Sequence, residues 1–451
     1  MRVRSGTGGA SVVAAVLLLT VLNLLDARTA SAQSPAAHPP AAPPPAERGT
    51  EERETPTTQV PPQPSIPPSV TPTMAAYPLE LLGLLVPQPR RGRLTLMPSI
   101  GVSEEYNDNV DSDNANRHSD FITNFSPAVV LYITQPTYEL NAGFSFTAAI
   151  YAREPNRDTA LDSMNLLASG LYRLTPGLTV SASETFVLSN YTNIVAAQSI
   201  STGRQKSWRN TFSPGLTWQM TQSDSVDVGG SWDALRYTDQ DGNDSDTFIA
   251  RVRETHAFTA RLTGNIGYEF TYLRQQDSLD STTHTPTVGL GYQLTRTLNA
   301  NISGGPAITL IGGDTVVSPA GTASLVQTLS FGSVGLQYGR TVGVAGGAGG
   351  TNDTQIISAA LTLSSLVRGL FVAPNPSYTF SNPIGPSQPG QGDIRAFSLG
   401  LNAAYQIYQY VTLFGGYSFF YQRTDRPSTE PDVNQNRVRV GIQFGYPFNF
   451  D

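Results

Sequence analysis

The sequence predicts an all-β protein: a transmembrane, antiparallel, up-and-down β-barrel of about 18 strands (16–18), preceded by a disordered proline-rich segment. Three observations carry this. Apolar and polar residues alternate with a period of two over some 355 residues. The alternating segments are about 11–15 residues long, as a tilted span requires, whereas soluble strands average 5–6. Connections alternate between short and long, the pattern of barrels with short periplasmic turns and longer outer loops.

Composition agrees with this reading once the order of residues is considered. The 451 residues are 39% hydrophobic and 14% charged, against about 25% charged in ordinary soluble domains. Mean hydropathy is −0.18, the average expected when a lipid-facing half and a water-facing half are interleaved. There is no cysteine, which excludes a disulfide scaffold, a thiolate metal site and a lipobox. Net charge is −7 and no basic stripe is present, so nucleic acid is not an expected partner. Of 28 basic residues only Lys206 is lysine, a bias attributed chiefly to codon usage.

Residues 1–32 read as a signal peptide. Arg2 and Arg4 precede an apolar run from Val12 to Leu25, too short to span a bilayer comfortably, and Ala30-Ser31-Ala32 is an A-x-A cleavage pattern. An uncleaved anchor is the alternative. Residues 33–76 read as a disordered periplasmic linker, because 13 prolines within 34–73 deny it both a helix ladder and a core. Residues 77–93 form a short lead-in whose apolar stretch Tyr77–Val86 fits either a small helix near the barrel mouth or a packed approach to the first strand. The barrel is assigned to 94–451.

Within it, residues 137–151 place Tyr138, Leu140, Phe144, Phe146 and Ile150 on one face, with Glu139, Asn141, Ser145 and Thr147 on the other. Residues 207–220 and 285–294 repeat the pattern. Short turns are predicted near Gln135-Pro136, Thr175-Pro176-Gly177, Thr221–Asp224, Thr259–Arg261, Thr295–Thr297, Ser330–Ser333, Val367–Gly369 and Tyr408–Tyr410. Longer connections are predicted near 107–119, 152–160, 191–206, 239–246, 275–282, 312–322, 345–352, 382–392 and 424–435. Eight turns and nine loops join 18 strands, an even number that puts both termini on the periplasmic side. Segments 316–331 and 366–381 alternate weakly, and Pro374, Pro376 and Pro383 disturb the second. Glu184 and Glu254 fall on lipid-facing parity, where a charge is costly at mid-depth, so a bulge or register change is expected near each.

The last strand carries Val438, Val440, Ile442, Phe444, Tyr446, Phe448 and Phe450 on one face and Arg437, Arg439, Gly441 and Gln443 on the other. Its alternating aromatics Phe444, Tyr446, Phe448 and Phe450 resemble the closing strand read by the barrel-assembly machinery, with Asp451 as one extra residue. The first strand and its loop read Gly101-Val-Ser-Glu-Glu-Tyr-Asn-Asp-Asn-Val110, then Ser119-Asp-Phe and Ser126-Pro-Ala-Val129. This resembles the opening of a β-barrel porin family found with exopolysaccharide-biosynthesis loci of Gram-negative bacteria, over roughly Leu94 to Phe450. The resemblance implies an outer-membrane barrel and, from genomic context, polysaccharide passage.

The parity assigns Arg173, Arg209, Arg251, Arg253, Arg437, Arg439, Glu139, Asp227, Asp233 and Glu269 to the lumen. Such a wall reads either as an electrostatic filter for anionic or sugar solutes or as ion pairs that brace a hydrated interior. Phe414 and Phe420 share the inward parity and suit either sugar stacking or a plug. The four histidines, His38, His118, His256 and His284, form no metalloprotease or hydrolase motif. Asp239–Asp246 lacks the glycine and glutamate of a calcium loop and reads as a solvated acidic loop. Gly346–Gly350 reads as a loop. No catalytic residue, metal or cofactor is assigned.

The expected function is a porin-like outer-membrane channel for polar solutes, with guided exopolysaccharide export as its finer form. The alternative is a non-conducting structural or adhesion barrel with partner-binding loops; a barrel hydrolase is the remote one. Expected partners are outer-membrane lipid or lipopolysaccharide, the assembly machinery, polysaccharide and periplasmic export components.

Overall fold

In the computed structural model the alternation becomes a closed hydrogen-bonded wall. The structure describes residues 94–450 except 116, 192–199, 239–242, 277, 345–348, 365, 387–391 and 426–431. The predicted signal peptide, linker and lead-in lie outside the described residues. The strands are β1 (Leu94–Asn107), β2 (Asp120–Thr134), β3 (Tyr138–Tyr151), β4 (Thr159–Thr175), β5 (Leu178–Tyr191), β6 (Arg204–Gln219), β7 (Asp224–Tyr237), β8 (Ser245–Ala257), β9 (Leu262–Gln275), β10 (Ser281–Gln293), β11 (Leu298–Ile311), β12 (Asp314–Leu329), β13 (Gly332–Val344), β14 (Thr351–Leu363), β15 (Leu370–Pro383), β16 (Asp393–Tyr408), β17 (Val411–Asp425), β18 (Val433–Gly445) and the short β19 (Phe448–Phe450). Each pairs antiparallel with the next through β18, and β1 pairs with β18, closing the sheet. β19 continues the β18 register against β1 after an interruption at Tyr446-Pro447, so the wall has 18 staves.

Closure removes every sheet edge, which is what allows strands to lie in hydrocarbon. Cross-strand parity then fixes two faces. One exposes Ile100, Phe144, Val228, Val288, Ile302, Ile357 and Val440; the other carries Ser103, Asn124, Ser145, Thr283, Thr309, Ser377 and Gln435. A soluble barrel would bury the first set. Here it is outermost, so the outer surface is that of a transmembrane barrel. Two outward ion pairs stand at strand ends that carry the longer loops. Arg236 meets Asp246 and Arg340 meets Asp353, each pair at 2.7 Å.

Two sequence expectations are corrected. The predicted connection 312–322 is a two-residue turn, Gly312-Gly313, with φ of +60° and +91°; β12 begins at Asp314. Both residues occupy the left-handed region, which a tight hairpin needs and glycine supplies without steric cost. No bulge relieves the outward carboxylates either. The ladder passes unbroken through Glu184, which stays on the outer face in the middle of β5, buried at 7% exposure and hydrogen-bonded to Asn210. Glu254 lies in an unbroken ladder between Val226 and Ile266, close to the turn-side end of β8, where water is near.

Proline is accommodated by gaps. The β14–β15 ladder stops at Ser358–Ser377 and resumes at Leu363–Val372, spanning Pro374 and Pro376, while the β15–β16 ladder is continuous there. Gaps also coincide with Pro127 in β2–β3, Pro214 in β6–β7 and Pro286 in β10–β11. Each lost N–H thus removes bonding to one neighbour while the other holds the stave. Across the β10–β11 gap stands Gly305, whose hypothetical Cβ would lie 1.8 Å from the Pro286 carbonyl oxygen, so only glycine permits that approach.

Candidate functional site

The polar face encloses the interior, and the register puts all ten of the sequence-assigned charged residues on it. Arg173 and Glu139 lie on β4 and β3, Arg209 on β6, Asp227 and Asp233 on β7, Arg251 and Arg253 on β8, Glu269 on β9, Arg437 and Arg439 on β18. They are not distributed evenly. From β10 to β17 the inner face is hydroxyl, amide, glycine and apolar residues, with Asp314 at one strand end the single charge among the described residues. Hydroxyl pairs such as Thr283–Thr309 (3.0 Å), Thr354–Ser381 (2.9 Å) and Ser377–Ser398 (2.6 Å) bind neighbouring staves there.

The charged sector divides by partner. At the β1–β18 seam, Glu105 accepts from Arg437 Nε at 2.8 Å and Arg439 Nε at 2.9 Å, and its side chain is only 3% exposed. Arg437 also stacks over the Tyr191 ring at 4.9 Å, and Tyr191 accepts from Asn107 at 3.2 Å. Tyr191 belongs to β5, so this cluster reaches across the interior. Arg209 donates to Asp233 at 2.6 Å, and Thr211 donates to the same oxygen at 2.7 Å. Arg173 pairs with Glu139 at 2.7 Å near the turn side. Arg251 and Arg253 differ: among the described residues neither has a hydrogen bond or ion pair. Glu269 faces Arg251 and Asp227 faces Arg253 in the ladder, but Asp227 takes its bond from Thr217 at 2.7 Å.

Glu105 is the residue that sequence reasoning missed. Glu104 and Glu105 are consecutive and straddle both faces, so alternation alone puts one carboxylate on each side. The strict phase of Ser99, Gly101 and Ser103 was the signal that could have placed Glu105 inward.

Loops enter the same space from the loop side. The segment leading into β6 returns across the barrel. Ser201 N–H donates to Gln422 Oε1 at 2.8 Å, Gln422 Nε2 donates to the Ser201 carbonyl at 2.7 Å, and Ile200 packs on Ile394. In the loop after β1, the Asn109 carbonyl and the Ser112 hydroxyl accept from Gln435 Nε2 at 2.6 and 3.1 Å. Thr351 at the start of β14 donates to Ser281 at the start of β10 at 2.8 Å. Inward side chains at this end are buried, Ile311, Ile394, Phe420 and Val433 among them, whereas Glu139 and Arg173 toward the turns stay exposed. Phe414 is also inward and buried, packed with Phe371 and Ala404.

Among the described residues the histidines form no hydrolytic arrangement. His256 Nδ1 lies 2.6 Å from Asp224, but the Thr221 and Ser223 hydroxyls bond that carboxylate and not the imidazole. His284 lies on the outer face, 2.6 Å from the Tyr268 hydroxyl. His118 is in the first loop beside Glu154, and His38 lies outside the described residues. Of the acidic loop, 239–242 lie outside the described residues; Asp244 accepts from the Tyr237 N–H and Asp246 pairs with Arg236. Of the glycine-rich loop, 346–348 are likewise outside.

The structure is similar to the crystal structures of Pseudomonas aeruginosa OpdQ (TM-score 0.41, 10% identity, covering 79% of this chain and 98% of that one) and OpdL (0.41, 12%, 78% and 99%). It is similar also to that of Acinetobacter baumannii OccAB4 (0.40, 11%, 80% and 99%). No protein-family model and no curated protein matches the sequence.

Proposed function

We propose that this chain is a porin-like channel of the Gram-negative outer membrane, passing polar solutes without turnover chemistry. The observation that carries the reading is the inversion of faces in a closed 18-stave wall: apolar residues outermost, hydroxyl, amide and charged residues within. Eighteen strands enclose a lumen wide enough for an aqueous path. The short turns face the periplasm and the longer loops the exterior. Outer-leaflet lipopolysaccharide meets the apolar belt and its charged rim, and the assembly machinery reads Phe444, Tyr446, Phe448 and Phe450. The finer reading, guided export of exopolysaccharide with periplasmic components, is supported by the resemblance of the β1 region.

The purified full chain in a planar bilayer tests this directly. Stepwise conductance is expected. A second reading, a non-conducting barrel whose loops bind partners, is favoured by the ties between Ser201 and Gln422 and between Thr351 and Ser281. Folded, vesicle-inserted protein that passes neither ions nor small sugars would establish that reading and remove the channel. Deleting the gene with no loss of secreted polysaccharide would remove the export role alone.

A further inference from the structure

Four of the six inward arginines assigned from the sequence are already committed to carboxylates: Arg173 to Glu139, Arg209 to Asp233, and Arg437 and Arg439 to Glu105. Arg251 and Arg253 are the remaining two. They lie two residues apart on one face of β8, at its seventh and ninth of 13 positions, so their guanidinium groups reach the interior at mid-depth. Arg251 is exposed even though its face points inward. Water therefore reaches it.

The wall around them leaves room. Gly229 stands opposite Arg251 on β7 and Gly267 opposite Arg253 on β9. A Cβ on Gly229 would sit 3.2 Å from Arg251 Nε, so the glycine lets the arginine stem lie flat against the sheet. A Cβ on Gly267 would sit 2.9 Å from the Thr287 hydroxyl, so that position is a shallow floor too. Asp227 and Glu269 flank the pair from the two neighbouring strands without closing on it.

We propose that Arg251 and Arg253 form a binding site for acidic sugars inside the barrel. A sugar carboxylate meets the two guanidinium forks, whose planar geometry suits bidentate pairing. Ring hydroxyls donate to Asp227 and Glu269 on either side. A plain anion satisfies only the arginines and a neutral sugar only the carboxylates, whereas an acidic sugar satisfies both. This inference rests on the channel reading for its role in passage, though not for binding itself.

The test uses the detergent-solubilised full chain with tetragalacturonate as the acidic probe and maltotetraose as the neutral one, followed by calorimetry. Wild type should bind the acidic probe more tightly. The double variant R251Q/R253Q should lose affinity for it by about tenfold or more, the loss of one or two charge-assisted bonds. R251K/R253K should keep the charge and recover part of the affinity, since lysine offers a point charge without the fork. In bilayers, the reversal potential in a salt gradient should move toward cations in the glutamine variant and stay near wild type in the lysine one. Equal affinity of wild type for both probes, or unchanged affinity in the folded glutamine variant, overturns the site. Absent conductance with the binding preference intact overturns the channel and leaves the site standing.

Discussion

At the scale of single residues, the interior is held by a few buried charges. Glu105 serves two arginines at once in nearly complete exclusion from solvent. Removing the carboxylate leaves two guanidinium groups in a low-dielectric crowd. Glu105→Ala is therefore expected to destabilise the barrel by about 3–5 kcal/mol, the range for breaking a buried pair by deleting one partner. Arg437→Gln should cost less, because Arg439 still holds the carboxylate; denaturant unfolding in lipid vesicles, followed by tryptophan fluorescence, would rank the two. The arginines were legible in the sequence because each falls on the polar phase of a strict two-residue period, as Arg251 and Arg253 do on either side of Val252. The pairing of Glu105 was not, because its partners are assigned only when the first and last strands are brought into register. The distinction between committed and uncommitted arginines was equally hidden, since it depends on which carboxylate lies within reach across a ladder.

Single elements show why most of the fold could be read and where it could not. Alternation and turn residues placed the eight short turns, and a closed wall leaves each strand only one apolar face to turn outward. The hairpin at Gly312-Gly313 escaped because Asp314, Pro319 and Gly321 carry turn chemistry into β12 itself. Its backbone makes a clean prediction. Nothing lies within 4 Å of a Cβ placed on Gly313, so Gly313→Ala isolates the conformational cost, about 1–2 kcal/mol. Gly312→Ala should cost more, since its Cβ would also press Leu279 at 2.8 Å; thermal unfolding of both variants measures the difference. In the first loop, burial raises the Asp111 carboxyl, but the bonded Arg157 guanidinium outweighs it and holds the pKa below the ordinary value. The folded loop thus binds that proton less readily than the unfolded one. Its added stability is complete above the ordinary carboxylate range and is withdrawn as pH falls through the lowered value. Hydrogen-exchange protection across 108–119, taken relative to the intrinsic rate at each pH, should fall on acidification, and Asp111→Asn should weaken that dependence.

For the whole molecule, the even strand count and the inside-out polarity were legible, because both follow from local pattern summed around a ring. The way loops cross the mouth was not. The tie between Ser201 and Gln422 joins residues 221 positions apart, and no periodicity announces such a pair. The channel reading makes that tie a restriction on flow. Gln422→Ala is expected to raise single-channel conductance or open probability in bilayers without altering unfolding of the wall by more than the loss of two hydrogen bonds, about 1–3 kcal/mol. Unchanged conductance would separate the tie from the conducting path.

The seam at Glu105 has a bearing on how the barrel is made. Its partners lie 332 and 334 positions later, near the end of the chain. While the sheet is still an open ribbon, β1 offers bare backbone donors and acceptors and a carboxylate without its cations. Insertion into lipid before β18 arrives would strand all of these in hydrocarbon. Partly zipped forms are thereby raised in free energy, and assembly tends toward completion in one cooperative event. The final strand is thus a lock as well as a stave: until its two arginines reach the first strand, the cylinder has strong cause to remain outside the bilayer.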